Sequence, residues 1–226
     1  MERKRDYKIR TAVESDIPAI LDLHKGKGAD WARDADRHVL LRLIRENGEF
    51  QLVAENGEGA IVGAVHVSRR RVSSIDRESL RLGERFDEDF PGHYSKVSGE
   101  NDRRGNALFA FMVASASPGA GRKLILELKR KAEQAKGVGR LFTFSPLAGM
   151  KIGSRDSAAT FDQIFDHVTK DGVYKFHHDE LGAELVKIIP GGRPNAPGQA
   201  AVSFEYRLEK PGFVSSLKKL FRGKVK

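Results

Sequence analysis

The stretch that decides the fold is MVASASPGAGRKLILELKRKAEQ, residues 112–134. It continues an apolar segment, NALFAFMVAS (residues 106–115), which is typical of a central β-strand. A turn of small residues follows. Beyond the turn, Leu124 and Leu128 recur at helical spacing, with lysines and arginines on the other side. The pattern therefore predicts a strand, a glycine turn and a basic amphipathic helix at about residues 121–135.

The glycine turn is suited to bind phosphate. Backbone N–H groups at the start of a helix are free to bind an anion, and small side chains let the anion approach. The same glycines would also serve an ordinary strand–helix turn that needs them only for its geometry. The candidate cofactor-binding residues at this turn are Val113, Ser117, Gly119, Ala120, Gly121 and Arg122.

The segments on either side alternate between helical and strand patterns. Before the turn, the sequence predicts a strand at residues 7–10, a helix capped by Ser15 or Asp16, a helix at residues 35–46, and strands at residues 50–55 and 60–69 joined by an Asn56-Gly57 turn. After it, the sequence predicts a strand at residues 140–145 that stops at Pro146, helices near residues 157–169 and 174–181, and strands at residues 183–189 and 200–209. This order predicts an α/β fold with a mixed, mostly antiparallel central sheet and helices on both faces.

The chain reads as one domain followed by a short tail. Residues 1–211 form the domain, with a polar, charged insertion at about residues 70–105. The tail, residues 212–226, carries an apolar stripe among lysines and arginines and predicts a basic amphipathic helix. Such a helix would either pack on the body of the protein or lie on anionic lipid or an acidic carrier protein.

Composition excludes several classes of function. The 226 residues are 39% hydrophobic, enough for one large core. The absence of cysteine excludes disulfides, a thiolate nucleophile and a cysteine zinc site, and no metal-ligand cluster is recognisable. No run of eighteen apolar residues predicts a membrane span, and the charged N-terminus lacks the apolar region of a secretory signal. These features favour a cytoplasmic protein, which the tail could hold at the membrane periphery.

The chain is strongly basic. Forty lysines and arginines against thirty-one acidic residues give a net charge of +9. Such a surface attracts nucleic acid, phosphorylated cofactors, acidic carrier proteins or anionic lipid. The basic residues are spread along the chain, with no zinc-finger spacing, RNP-type aromatic motif or clear helix-turn-helix, which disfavours nucleic acid.

The order of elements resembles the GNAT acetyltransferase superfamily. The resemblance is carried by YKIRTAVESDIPAILDL at residues 7–23 and by residues 112–134. In that family this turn holds the pyrophosphate of coenzyme A. Residues 119–121 match the end of the family motif Gln/Arg-x-x-Gly-x-Gly/Ala, whereas Ala116 stands where Gln or Arg is usual. The resemblance implies a coenzyme A thioester as substrate, one missing side-chain contact to it, and no metal.

A narrower resemblance is carried by FTFSPLAGM, KFHHDELGAELV and IIPGGRPNA, residues 142–150, 175–186 and 188–196. They look like the branch containing malonyl-CoA decarboxylase and the GNAT-like domains of polyketide-synthase loading modules. That branch has a Thr or Ser on the strand before a Ser-Pro, a His ahead of a Gly-Ala turn, an Arg in the next loop and a tryptophan near the second helix. Carried over by position, the site residues are Thr143 with Ser145 as its neighbouring candidate, His177, Arg193 and Trp31.

The chemistry of decarboxylation needs these residue types. Loss of CO₂ from a malonyl thioester leaves an enolate, whose oxygen needs hydrogen-bond donors such as Thr143 and His177. With a pKa near working pH, His177 could also deliver a proton to the carbanion carbon. Arg193 could hold the departing carboxylate, and the indole of Trp31 could wall the pocket.

The resemblance thus implies decarboxylation of malonyl-CoA or a substituted malonyl-CoA, with or without transfer of the acyl group to a carrier-protein thiol in trans. Two alternatives stay open. One is an ordinary GNAT acetyltransferase acting on an amine or hydroxyl, for which a carboxylate-binding Arg193 has no use. The other is a non-catalytic module that binds an acyl-CoA or a carrier protein.

Overall fold

The structure is a computed structural model that describes residues 6–25, 35–71, 101–151, 168–189 and 199–208. Several of the sequence predictions lie outside these residues. They are Trp31, Arg193, residues 72–100 of the insertion, residues 157–167 of a predicted helix, and the tail at residues 212–226.

Seven strands form one sheet, which confirms the predicted mixed, mostly antiparallel architecture. The strands are β1 (Lys8–Thr11), β2 (Leu52–Glu55), β3 (Ile61–Arg70), β4 (Ala107–Ser115), β5 (Arg140–Lys151), β6 (Glu184–Ile189) and β7 (Gln199–Arg207). Their order in the sheet is β1-β2-β3-β4-β5-β7-β6. Only the β4–β5 pair is parallel, and all other neighbouring strands in this sheet are antiparallel.

Helices cover both faces of the sheet. They are α1 (Ile17–Lys25), α2 (Ala35–Asn47), α3 (Ala120–Gln134) and the short α4 (Gly172–Tyr174), which runs directly into a π-helical segment, Lys175–Glu180. Ile20 of α1 shares a buried cluster with Val53 of β2. Leu124 and Leu128 of α3 share another cluster with Leu52, the neighbour of Val53. Adjacent strand residues point to opposite faces, so the two clusters are the cores on the two sides of the sheet. Every helix in the described residues is too short or too polar to cross a bilayer.

A β-bulge interrupts β4 at its centre. Val67 of β3 pairs with Ala110, and the preceding His66 pairs with Met112, so Phe111 is the extra residue. The side chain of Gln51 satisfies the backbone of β3 on its other edge: Gln51 Nε2 donates to the Val67 carbonyl at 2.7 Å, and the Val67 N–H donates to Gln51 Oε1 at 3.1 Å. The bulge is therefore fixed from the neighbouring strand, and such bulges often lie beside functional sites.

The parallel pairing of β4 with β5 ends next to this bulge. It runs from Ala107 opposite Arg140 to Ala110 opposite Thr143 and stops there, although both strands continue. Beyond Thr143 the facing edges of β4 and β5 are not hydrogen-bonded to each other. We call the space between residues 111–115 and residues 144–151 the β4–β5 cleft.

The prediction that β5 stops at Pro146 is wrong. The strand continues to Lys151, and Pro146 is paired with Ala201 of β7. Proline lacks the N–H that a central strand needs, so it is tolerated only where one edge is free. The β4–β5 cleft provides that free edge.

Two local predictions also need correction. The β2–β3 connection is not a two-residue Asn56-Gly57 turn, because the Asn56 side chain accepts the N–H groups of Glu58 and Ala60 and the glycine with positive φ, 80°, is Gly59. At the start of α1, the carboxylate of Asp16 accepts the N–H of Val13 at 2.8 Å, reaching backwards instead of capping the helix ahead of it.

Two buried histidines lie between α1 and β3. Nε2 of His24 is 3.3 Å from Nε2 of His66, both rings are almost fully buried, and neither Nδ1 has a hydrogen-bond partner among the described residues. Burial lowers the pKa of His24 to about 4, and burial together with the neighbouring His24 lowers the pKa of His66 well below its usual 6.5. The pair is therefore neutral at pH 7.

We expect this pair to make the fold sensitive to acid. Between pH 6.5 and about 4 the unfolded chain binds protons that the folded pair does not, so the free energy of unfolding should fall as pH falls through this window. The lowered pKa of His24 alone corresponds to a loss on the order of 3 kcal/mol in the free energy of unfolding across this window. Urea unfolding of the wild type and of the His24→Gln/His66→Gln variant at several pH values measures the effect. A variant that loses stability with acid as steeply as the wild type would contradict it.

Candidate functional site

Three of the sequence-predicted site residues lie together on the α3 side of the sheet. Thr143 is the last β5 residue paired with β4, and Ser145 lies two residues further along the same strand. Nδ1 of His177 is 3.4 Å from the Thr143 hydroxyl, and Nε2 is 3.4 Å from the Ser145 hydroxyl. Thr143 and His177 are only 2% and 4% exposed, whereas Ser145 is half-buried. The structure therefore brings these three residues together at the base of the β4–β5 cleft.

The π-helical segment aims His177 at this point. It ends in a turn in which the N–H of Ala183 donates to the His177 carbonyl at 2.9 Å and the N–H of Gly182 donates to the His178 carbonyl at 3.0 Å. Gly182 has φ 68°, a conformation that favours glycine. His178 is exposed and stacks on Tyr174, away from the cluster. The segment thus places the two adjacent histidines in different environments, His177 buried and His178 exposed. Such π-helical turns are frequent at functional sites.

Tyr206 of β7 is a further member of the cluster that sequence reasoning missed. Its hydroxyl is hydrogen-bonded to Nδ1 of His177, and the side chain is 1% exposed. Phe204, two residues earlier on β7, stacks flat under the imidazole of His177, with ring centroids 4.7 Å apart. The sequence does hold a signal for it, because a tyrosine on the apolar face of a strand needs a buried partner for its hydroxyl.

Burial makes the cluster electrically neutral. Removal from water lowers the pKa of His177 to about 4 and raises the pKa of Tyr206. The expectation that His177 titrates near working pH is therefore wrong, because its hydrogen-bond partners in the described residues are hydroxyls, which carry no charge that would hold a proton on the ring. At pH 7 the ring is a neutral imidazole with one N–H to donate.

The glycine turn precedes α3 as predicted. Gly119 has φ 83°, and its carbonyl accepts the N–H of Lys123 at 3.1 Å. The N–H of Ala120, the first residue of α3, donates to the Ser117 carbonyl at 3.2 Å. The N–H groups that follow it in the first turn have no intrahelical acceptor and can bind an anion. A Cβ on Gly121 would make ordinary van der Waals contacts, 3.6 Å from Cβ of Ser115 and 3.8 Å from Cγ1 of Val113, so the start of the helix lies close to the end of β4 without requiring glycine at this position.

The turn is held from the N-terminal strand. The hydroxyl of Tyr7 is 2.7 Å from the hydroxyl of Ser117 and donates to the carbonyl of Pro118 at 2.8 Å. On the other side of Ser117, the Ser115 hydroxyl donates to its carbonyl at 2.7 Å. These bonds preorganise the turn, so an anion would bind without first ordering it.

Arg122 connects the turn to the segment that carries His177. Its guanidinium forms a two-pronged ion pair with the carboxylate of Glu180, in which Nη1 lies 3.2 Å from Oε1. The same guanidinium lies over the ring of Phe176, 5.1 Å from the centroid, and that ring contacts His177 edge-on at 5.0 Å. Arg122 thus touches residues on both sides of His177 in the chain.

The remaining predicted residues, Trp31 and Arg193, lie outside the described residues. Within residues 6–25, 35–71, 101–151, 168–189 and 199–208, no group of three or more His, Asp or Glu side chains is arranged to hold a metal ion.

Solved structures with the same architecture cover most of the chain. The loading GNATL domain of CurA from Lyngbya majuscula matches at TM-score 0.65 and 18% identity, covering 90% of this chain and 98% of that domain. The GNAT-like decarboxylase GphF, in complex with isobutyryl-CoA, matches at TM-score 0.64 and 24% identity, covering 89% and 100%. YncA, a putative acetyltransferase from Salmonella typhimurium with acetyl-CoA, matches at TM-score 0.52 and 16% identity, covering 90% and 94%.

The protein has the GNAT fold. The two GNAT-like domains match with higher TM-scores than the acetyl-CoA-bound YncA, at sequence identities that establish the fold alone. The sequence matches no protein-family model and no curated protein. Within this fold, the glycine turn lies between β4 and α3.

We expect the imidazole of His177 to titrate far below the range of an exposed histidine. Burial should place its midpoint at about pH 4, so the ring stays neutral throughout the neutral range. Histidine NMR spectra recorded from pH 4 to 8 measure this directly, and a His178→Gln variant separates the signals of the two neighbours. A His177 midpoint near 6.5 would show that water reaches the ring.

Proposed function

We propose that this GNAT-fold protein is an enzyme that binds an acyl-CoA and decarboxylates malonyl-CoA or a substituted malonyl-CoA. The observation that carries the proposal is the convergence of Thr143, Ser145 and His177 at the base of the β4–β5 cleft. Two hydroxyls and a neutral imidazole can donate hydrogen bonds, and positioned donors stabilise a developing enolate oxygen.

The glycine turn and the cleft suit the two ends of a coenzyme A chain. The start of α3 would bind the pyrophosphate through backbone N–H groups that follow Ala120, beside the small residues Gly119 and Gly121. The side chain of Arg122 would add a positive charge when its guanidinium exchanges the carboxylate of Glu180 for a phosphate. The backbone edges of β4 and β5 do not pair with each other along the cleft, and they would bind the amides of the extended pantetheine arm as they would bind an added strand. Two of the matched structures carry acyl-CoA ligands, isobutyryl-CoA in GphF and acetyl-CoA in YncA, which supports an acyl-CoA as the ligand.

In this proposal the thioester carbonyl lies against Thr143 and His177. Cleavage of the bond between the malonyl carboxylate and the α-carbon releases CO₂, and its electron pair forms the enolate. The N–H of His177 and the hydroxyl of Thr143 stabilise the enolate oxygen, because they are already fixed in a site that excludes water. A neutral histidine with its pKa near 4 acts here as a hydrogen-bond donor, and the α-carbon of the enolate takes its proton from solvent water after CO₂ has left.

Arg193 and Trp31 complete the proposal from outside the described residues. A guanidinium can bind a carboxylate through two parallel hydrogen bonds, which would hold the malonyl group until CO₂ leaves. An indole can wall the acyl pocket and donate one N–H.

Removing the donors should abolish catalysis while leaving coenzyme A bound. We expect His177→Ala and Thr143→Val each to lower the rate of malonyl-CoA decarboxylation by on the order of a hundredfold, because each removes one donor to the enolate oxygen. Binding of coenzyme A, measured by calorimetry, should change by only a few-fold. The matched control is His178→Ala, which removes the adjacent exposed histidine. Rates in His177→Ala equal to those of the control would remove His177 from the mechanism.

Arg193 should discriminate between ligands by their charge. We expect Arg193→Ala to raise KM for malonyl-CoA far more than it raises Kd for coenzyme A, since only the malonyl group carries the additional carboxylate. Arg193→Lys should restore little, because a point charge replaces a planar fork. Equal weakening for both ligands would instead place Arg193 on the phosphates.

Acetyl transfer to an amine or hydroxyl is the second candidate function, and the match to YncA with acetyl-CoA favours it. It needs a general base, and a buried His177 with its pKa near 4 is a weak one.

A non-catalytic acyl-CoA-binding module would keep the turn and the cleft and show no turnover. The match to a loading domain supports a carrier-protein thiol as acceptor of the acyl group, which would add transfer to decarboxylation.

A further inference from the structure

The hydroxyl of Tyr206 occupies one side of the imidazole of His177. It is hydrogen-bonded to Nδ1, while the opposite nitrogen, Nε2, faces the half-buried Ser145 at 3.4 Å. A ring nitrogen has a single in-plane position for a proton or a lone pair, so Nδ1 can be either a donor or an acceptor toward Tyr206, and this choice decides which nitrogen carries the proton of the neutral ring.

The chemistry of the two partners favours Nδ1 as the acceptor. A phenol O–H is a stronger donor than the N–H of a neutral imidazole, and the imidazole lone pair is a stronger acceptor than a phenol oxygen. Burial keeps both groups neutral at pH 7, so Tyr206 retains the proton that it donates.

Burial and packing favour a single orientation of the His177 imidazole. Tyr206 is 1% exposed and pairs with Leu141 of β5, so its backbone is anchored in the sheet and its side chain is enclosed. The flat contact with Phe204 holds the plane of His177. A rotation of the ring by 180° about its Cβ–Cγ bond would take Nδ1 away from Tyr206 and leave the phenol without its acceptor.

We propose that Tyr206 is a positioning residue that donates its hydroxyl proton to Nδ1 of His177 and thereby keeps Nε2 protonated and facing Ser145. The contact of 3.4 Å between Nε2 and the Ser145 hydroxyl is long for a hydrogen bond, so the N–H on Nε2 is available to a bound oxygen. As a statement about catalysis this rests on the proposed function, since the bound oxygen would be that of the thioester enolate. As a statement about the tautomer of His177 it is independent of any substrate.

The test is the tautomer of His177 in the full chain without ligand. Protein labelled with ¹⁵N-histidine is examined by long-range ¹H–¹⁵N correlation at pH 7, which distinguishes a proton on Nε2 from one on Nδ1. We expect the wild type to show a single Nε2–H tautomer. In Tyr206→Phe, which removes one oxygen atom, we expect signals of both tautomers. The matched control is Tyr174→Phe, because Tyr174 stacks on His178 and not on His177.

The same variants are assayed with malonyl-CoA. We expect Tyr206→Phe to lower kcat by about tenfold or more with KM nearly unchanged, because the donor is misplaced while the binding of coenzyme A is not. Thermal unfolding of both variants identifies any loss of activity that is caused by misfolding. A proton on Nδ1 in the wild type, or a fixed Nε2–H tautomer in a folded Tyr206→Phe variant, would overturn the proposal. If the wild type does not decarboxylate malonyl-CoA, the proposed function fails while the NMR result still decides the role of Tyr206.

Discussion

The end of the parallel pairing between β4 and β5 is the constraint on which the rest of the structure depends. Up to Ala110 and Thr143 the two strands share hydrogen bonds, and beyond them they do not. The bulge at Phe111 lies on one side of this point, and on the other side β5 tolerates Pro146 because its edge is free. Thr143 therefore lies at the base of a cleft inside a continuous sheet, where a ligand can reach backbone groups that a closed sheet would have paired.

Burial beside this cleft determines what His177 can do. The flat contact with Phe204 and the hydroxyls of Thr143 and Tyr206 surround the ring and replace water, so its pKa falls to about 4. A histidine in that state is a poor source of protons at pH 7 but a well-oriented hydrogen-bond donor. This favours chemistry in which negative charge develops on an oxygen, as in loss of CO₂ from a malonyl thioester, over chemistry that needs a strong base.

The sequence was sufficient to predict the features that depend on local patterns. It was not sufficient for features that depend on contacts between residues far apart in the chain. Apolar periodicity and glycine placement were sufficient for α3 and its turn, and the order of elements predicted the mixed sheet. The continuation of β5 past Pro146 was missed because a proline is excluded only from a strand edge that is hydrogen-bonded. No local sequence pattern shows that β4 stops pairing with β5 before Pro146. The π-helical geometry around His177 and its contact with Tyr206, 29 residues later, arise from packing between elements. The low pKa of His177 follows from that packing and could not be read from residue type.

The most direct test of the account is the fate of malonyl-CoA. Purified protein is incubated separately with malonyl-CoA and with acetyl-CoA, each with and without a small amine, and the thioesters are followed by mass spectrometry. The account predicts that malonyl-CoA is converted to acetyl-CoA and CO₂ at equal rates with and without the amine, and that acetyl-CoA remains intact in both mixtures. Stable malonyl-CoA together with amine-dependent loss of acetyl-CoA would contradict it and establish acetyl transfer instead.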